Sequence, residues 1–349
     1  MRSVVLVVPG RLDNPTGGYQ YDRRMSEGLC QHGWSVDVRE LDESFPYPSS
    51  KALDHAAEVL ADLPHGTRLL VDGLALGAMP EIIEHEAARL RIAALVHLPL
   101  GADVGIDRNT AARLEAAERR ALAAAALIIV TGKATLPMLA KYGLAPSRII
   151  VVEPGTMPAA LSRGSGGKPL ELLSVATLNP IKGHEILIEA LSSAPRNCWH
   201  LTCAGSITRH PETADRVRAA IRRLHLEDRI TLAGELDAAE LDGYYDRADV
   251  FVLATLQETY GMAVAEALAR GLPVVSTTTG AIADLVGDDA GLLVPPGDTR
   301  ALAGALGRIV SDDSLRARLA AGARRVRERL PTWERAAAEM AAALEHLDR

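Results

Sequence analysis

Short, continuous apolar runs recur along the chain, each bounded by Gly, Pro or polar residues. They fall at Val4–Val8, Arg68–Val71, Ile92–Val96, Leu127–Val130 and Arg148–Val152, with Ser35-Val-Asp-Val38 read as the strand after the first helix. A second set lies at Leu172–Ala176, Leu201–Ala204, Arg229–Ala233, Val250–Ala254, Pro273–Thr277 and Leu292–Val294. Runs apolar at successive rather than alternate positions suit strands buried on both faces of a parallel sheet. Between them lie segments with helical spacing, among them Tyr19–Gln31, Asn109–Ala126, Ala238–Arg247, Met262–Arg270, Ala301–Val310 and Trp333–Leu347. Strand, Gly-rich loop, helix and strand in that order open a doubly wound α/β fold.

One stretch, Asp249–Pro273, organises the rest. The strand Val250–Ala254 runs into a turn holding Glu258, Thr259, Tyr260 and Gly261, and a helix follows from Met262. Gly271 just past the helix and Pro273 behind it supply a stop. A helix that starts at the carboxyl end of a parallel strand presents unpaired N–H groups and the positive end of its dipole, a site suited to phosphate. Gly261 lets a ligand approach the backbone. Glu266 is the one acid in an otherwise apolar helix, so its carboxylate needs hydrogen-bonding partners, which sugar hydroxyls would supply.

Composition narrows the function classes. A chain of 349 residues with 48% hydrophobic content can fill two cores. The formal charge is −7, with 16 Lys+Arg against 19 Asp+Glu in residues 1–160 and 22 against 26 in the remainder. Neither half is basic, so there is no electrostatic case for nucleic acid or an anionic membrane. Three cysteines (Cys30, Cys198, Cys203) form no disulfide framework or metal pattern, and a reduced, cytoplasmic protein is expected. Val4–Val8 is too short for the apolar core of a signal peptide, and no run reaches a membrane-spanning length. The small, polar segment 155–169 reads as a linker between domains at 1–160 and 170–330. Glu84, His85 and Glu86 read as a solvated helix face, as does the Arg-rich run Arg316–Arg329.

Glu258-Thr-Tyr-Gly-Met262, then Ala-Glu266-Ala-Leu-Ala-Arg-Gly-Leu-Pro-Val-Val275 and Ala-Gly-Leu-Leu-Val-Pro-Pro-Gly-Asp298, closely resembles the retaining glycosyltransferases of family 4, of the GT-B fold. The resemblance is strongest from about Glu171 to Arg308 and extends to most of the chain. It implies two Rossmann-like domains facing a cleft, the first on the acceptor side and the second holding a nucleotide-sugar donor. A C-terminal helix at 333–349 would cross back to the first domain. Transfer would go from a UDP- or GDP-sugar to a hydroxyl of a glycan, lipid-linked glycan or small aglycone, with retention. The alternatives are a GT-B nucleotide-sugar epimerase and a non-catalytic nucleotide-sugar-binding partner subunit.

The same resemblance assigns residues. Lys182, in Lys182-Gly-His184 before an amphipathic helix, would be the cation on the donor diphosphate, and Glu258 would hold the sugar hydroxyls. Glu266 would hold the ribose, and Tyr260, Gly261, Met262 and Ala263 would border the donor. Gly17 and Gly18 would form the first loop near the donor phosphate, Gly234 and Glu235 would pack on the nucleobase, and His97 would lie near the transferred sugar. Relatives carry an Arg near Thr177 that this chain lacks, and Arg209 is the candidate substitute. No Asp-x-Asp occurs, so no cofactor and no metal are expected. Phe45 and Tyr47, in the Pro-containing loop Leu41–Ser50, are candidates for contact with the acceptor. No nucleic-acid partner is expected, and a peripheral membrane contact is left open.

Overall fold

A computed structural model of the chain describes residues 2–102, 105–167, 169–195 and 198–348. It divides into two compact units, Met1–Gly155 with Pro331–Arg349, and Thr156–Leu330. The first holds six parallel strands: β1 (Arg2–Pro9), β2 (Trp34–Leu41), β3 (Arg68–Asp72), β4 (Arg91–Val96), β5 (Leu127–Val130) and β6 (Ile149–Val151). Their order is β2-β1-β3-β4-β5-β6, with Val5 beside Leu69 and Val71 beside Ala94. The second holds β7 (Leu170–Val175), β8 (Trp199–Ala204), β9 (Ile230–Gly234), β10 (Val250–Leu253), β11 (Val274–Thr277) and β12 (Gly291–Val294). These are also parallel, in the order β12-β11-β10-β7-β8-β9.

Each sheet is covered on both faces, which is why its inner strands carry no polar alternation; the edge strand β2 does alternate, with Ser35, Asp37 and Arg39 exposed between half-buried Val36 and Val38. In the first, Val5, Val7, Leu69 and Val71 face one cluster, while Val4, Leu6, Val8 and Leu70 face another. The second cluster is completed from the far end of the sequence. The helix Trp333–Glu345 lays Ala336, Met340 and Leu344 against Tyr21, Met25 and Leu29 of the helix Gly17–Gln31. Burying each of those large side chains stabilises by about 1.5–3 kcal/mol. Close approach requires two glycines: a Cβ on Gly28 would lie 2.4 Å from that of Ala337, and one on Gly155 2.1 Å from the Trp333 nitrogen. Arg68 then closes the chain end with a two-pronged pair to Asp348, at 2.7 and 2.9 Å.

Several expectations drawn from the sequence are corrected. Phe45 is 5% exposed and belongs to the core cluster of β1, β3 and β4. Its two neighbouring prolines keep the loop out of the sheet, but the ring turns inward because burial of so large an apolar surface outweighs exposure. Phe45 therefore has no face to offer an acceptor, whereas Tyr47 is 51% exposed. Glu86 is not on a solvated face either: it is 4% exposed and ion-paired with Arg89, while Glu84 bonds Arg120 at the surface. In the Arg-rich helix Asp313–Arg327, Arg316 and Arg327 turn inward, donating to the carbonyls of Ile309 and Ala159. A guanidinium that caps orphan carbonyls is stabilised there more than in water.

The segment read as a linker is tied to the second unit over part of its length. Ser162 Oγ donates to the carbonyl of Ala248 at 2.7 Å, and Asp249 Oδ1 accepts from the Ser165 nitrogen at 3.1 Å. Lys168, within the same segment, lies outside the described residues.

Candidate active site

In each sheet the chain reverses its direction of winding at one point, which opens a crevice at the carboxyl edge. In the second unit that point lies between β7 and β10, which are hydrogen-bonded neighbours although β8 and β9 intervene in sequence. The loops leaving these two strands carry Lys182 and Glu258.

β10 is apolar and buried throughout, so its register is fixed and the turn after it emerges at a defined height. Neighbouring loops then clamp that turn. Leu256 N donates to the Ile181 carbonyl at 2.6 Å, and Thr277 Oγ1 to the Thr255 carbonyl at 2.6 Å. Gly183, at φ +64°, lets the Lys182 loop close on β10: a Cβ there would lie 2.1 Å from the Ala254 carbonyl oxygen. From the other side Gly280, at φ +59°, would place a Cβ 1.8 Å from the carbonyl oxygen of Glu258. Both positions require glycine for space as well as for torsion.

Held this way, Lys182 Nζ donates to Glu258 Oε2 at 2.7 Å, with side chains 24% and 16% exposed. The family resemblance assigns these residues separate tasks, and the fold brings them into one ion pair. His184, one residue beyond Gly183, is 2% exposed; burial, aided by the Lys182 charge, lowers its pKa to about 4 and keeps it neutral. Gly261, at φ +102°, precedes the helix Met262–Ala269, whose first residues Met262 and Ala263 are half-buried. Glu266, on the same helix, accepts from Tyr245 Oη at 3.2 Å, and Arg270 lies 4.2 Å over the Tyr245 ring. Burial, followed by the Glu266 charge, pushes the Tyr245 phenol well above its ordinary range, so it stays a donor.

The other residues expected at the donor in this unit lie at or after the ends of β8, β9 and β10 of the same sheet. Arg209 and Glu235, in the loops after β8 and β9, form an ion pair with each other at 3.5 Å. Gly234, at φ +74°, ends β9, and its carbonyl accepts from Gly205 N at 2.8 Å. Tyr260 is 4% exposed, and its ring packs with Ala265 and Ala281. A cavity lined by Thr278, Leu293, Gly304 and Arg308 lies along β12, and none of the expected site residues lines it.

In the first unit the reversal lies between β1 and β3. Here the structure assembles a cluster of which the sequence indicated one member. His97 follows β4 directly; its Nε2 lies 3.1 Å from Asp22 Oδ1 and 3.4 Å from Asp72 Oδ2. Asp22 comes from the helix after β1 and is fully buried, and Asp72 is the last residue of β3, 3% exposed. The helix begins at Gly17, and a Cβ on Gly18 would sit 3.4 Å from His97 Cδ2, so the loop lies against the ring edge. Burial opposes charge on His97, but the two carboxylates outweigh it and raise its pKa to about 10. Burial, with Asp72 adding to it, raises Asp22 above the usual carboxylate range. The three ligand atoms lie within 4.8 Å of one another, and among the described residues this is the one grouping whose spacing could hold a metal ion.

Two signals could have exposed the missing members. Asp22 is the lone acid on the Tyr21-Met25-Leu29 face of its helix, the same oddity that marked Glu266. Asp72 is a charged residue closing an apolar strand at the carboxyl edge, two residues short of the level of His97, since it pairs with Leu95.

Comparison with known proteins fits this geometry. Residues 162–326 match the family model described as "Glycosyl transferases group 1". A D-inositol 3-phosphate glycosyltransferase of Xylanimonas cellulosilytica is 31% identical over 278 residues, covering 73% of this chain and 63% of that protein. An amylovoran biosynthesis glycosyltransferase of Erwinia amylovora is 33% identical over 183 residues, 49% of this chain and 44% of that protein. The chain thus spans less than two thirds of the length of these curated relatives. Among solved structures, a sucrose-phosphate synthase from Thermosynechococcus elongatus superposes with a TM-score of 0.84 at 21% identity, covering 100% of this chain and 99% of that one. The Anabaena protein Alr3699/HepE, in complex with UDP and glucose, gives 0.80 at 17% identity, covering 98% and 99%. These likenesses show a shared fold, two Rossmann-like domains of the GT-B type.

Proposed function

Through residues 162–326 this chain belongs to the family of glycosyl transferases group 1, and on that premise we propose that it moves a sugar from a nucleotide-sugar donor to an acceptor hydroxyl with retention of anomeric configuration. The observation that carries the reading is the Lys182–Glu258 pair, set at the reversal point of the second sheet and preceding a helix N-terminus. Transfer builds positive charge on the sugar and negative charge on the departing diphosphate. A fixed ammonium and the N–H groups at Gly261–Ala263 meet the second charge where it develops. Glu258, released from Lys182 when the diphosphate takes up the ammonium, is free to accept from sugar hydroxyls. Glu266, already oriented by Tyr245, suits a ribose diol. The leaving phosphate itself serves as the proton acceptor, and His97 is assigned to the sugar that is transferred.

A thermal-shift screen with nucleoside diphosphates and their sugars tests this, because a bound ligand stabilises by mass action. Stabilisation by a UDP- or GDP-sugar, followed by an α-to-α transfer read by NMR, is the expected result. No response to any nucleotide would defeat the reading. Turnover without an acceptor, yielding an epimerised donor, would favour an epimerase.

Two results are expected once a donor is identified. Glu258→Gln should mainly lower kcat, since its contacts are to the reacting sugar, while Glu266→Gln should mainly raise donor KM. Wild-type constants for both variants would remove the assignment. Turnover is also expected to continue in EDTA, with Lys182 and the helix N-terminus supplying the charge. Loss in EDTA reversed by Mn²⁺ would overturn the metal-free reading.

A further inference from the structure

We propose that Asp22 and Asp72 are positioning residues for His97, gripping its ring by Nε2 between two buried carboxylates so that Nδ1–H is presented as a cationic donor to a ligand hydroxyl. The inference deepens the role given to His97 above and rests on that reading for the identity of the ligand, but not for the state of the ring.

Three adjacent strands make the arrangement. The helix after β1 brings Asp22, the end of β3 brings Asp72 and the end of β4 brings His97. Asp72 is itself fixed, because its Oδ1 accepts from Leu74 N at 2.7 Å and leaves Oδ2 for the histidine. Asp22 uses Oδ1 on His97, and its Oδ2 has no hydrogen-bond partner among the described residues. A buried carboxylate that is half satisfied carries an energetic penalty, and an adjacent imidazolium offsets it. The ring is set from its sides as well. Tyr21 meets it edge-on at 5.3 Å, Trp333 backs Tyr21 at 5.9 Å, and Gly18 lies against Cδ2.

Nε2 and the Cδ2 edge face these neighbours while 22% of the side chain stays exposed, which leaves Nδ1 as the ring nitrogen to meet a ligand. Other charges near the cluster do not alter its sign. Arg23 acts on Asp22 but donates to the carbonyls of Leu12 and Asn14, and Glu339, paired with Arg335 at 2.8 Å, acts on Tyr21 and not on the three groups. With His97 charged, the three groups sum to one negative charge. Such a cluster repels phosphate or carboxylate and suits a neutral hydroxyl. It also means that His97 acts as a donor in the neutral range and not as a general base. An unperturbed histidine would be mostly neutral at pH 7.5.

Nitrogen-15 NMR of the histidine rings in the intact protein tests this without any turnover. Both His97 nitrogens should remain protonated to about pH 9 in the wild type. In Asp22→Asn the larger of the two supports is lost while burial remains, so His97 should titrate near or below pH 7. Asp72→Asn, a variant that can still cap Leu74, should give a smaller shift in the same direction. In the transfer assay, Asp22→Asn should lose about tenfold more activity at pH 8 than at pH 5.5, because each unit of lowered pKa removes a factor of about ten of the charged form. Inorganic phosphate should leave the His97 signals unmoved. The proposal fails if wild-type His97 is neutral at pH 7.5, if neither Asn variant shifts it, or if phosphate binds it. It also fails if the purified protein holds a stoichiometric divalent ion whose removal by EDTA changes the Nε2 signal. Absence of glycosyl transfer would defeat the function proposed above and leave these ring measurements standing.

Discussion

Lys182→Ala is expected to lower kcat/KM by about 30- to 700-fold, the equivalent of about 2–4 kcal/mol, the scale of one preorganised donor lost from the transition state. The ammonium sits at the reversal point of the second sheet, where the leaving diphosphate would lie. Its removal has a second consequence. Glu258 is 16% exposed at the side chain and would be left without its 2.7 Å partner. An uncompensated, largely buried carboxylate destabilises, so the melting temperature should also fall. The double variant Lys182→Ala/Glu258→Gln should recover stability while remaining inactive, a coupling that a double-mutant cycle reads directly. A Lys182→Ala enzyme with near-normal turnover would remove the lysine from the mechanism. Arg209→Ala gives a useful contrast. Its pair with Glu235 is an exposed one, worth about 0–1 kcal/mol. A large rise in donor KM would therefore report contact with phosphate, and an unchanged KM would end its candidacy as substitute for the Arg absent near Thr177.

The second large effect is expected from Gly280→Ala, which touches no ligand. The new Cβ would lie 1.8 Å from the Glu258 carbonyl oxygen, at a φ of +59° that alanine tolerates poorly. Backbone must move, and the backbone that moves is the turn carrying Glu258. A loss of about 2–4 kcal/mol is expected, or roughly 5–15 °C in melting temperature for a unit of this size. Turnover should drop even below the melting transition, since a misplacement of about 1 Å suffices to disrupt a reacting geometry. Gly304→Ala is the control: it lies in the helix Thr299–Ser311 with nothing within 4 Å of the new Cβ. It should be neutral or stabilise by up to about 1 kcal/mol. Equal effects at the two glycines would show that crowding at Glu258 is not the cause.

The sequence by itself determined the class of fold and singled out the candidate residues of the second unit. Strands such as Val250–Leu253 announce themselves because burial on both faces demands apolar residues at every position, and helix ends announce themselves because caps and glycine stops are local. Asp298, for example, caps the helix Thr299–Ser311 by accepting from Ala301 N at 2.8 Å. Glu266 was legible for a similar reason, as the one acid in an apolar helix, whereas Lys182 and Glu258 were singled out by the motifs Lys182-Gly-His184 and Glu258-Thr-Tyr-Gly-Met262 that carry the family resemblance. Which charges meet was decided only by tertiary structure. Asp22, Asp72 and His97 lie 50 and 25 residues apart, and they converge because β3 crosses over to pair with β1, placing three carboxyl-edge positions side by side. Phe45 likewise reads as a loop aromatic until β1, β3 and β4 supply the apolar surface that buries it. Gly280 reads as an ordinary turn glycine until Glu258 is brought against it. Periodicity and capping are properties of neighbours in sequence, whereas ion pairing and steric exclusion are properties of neighbours in space, and strand order alone converts one into the other.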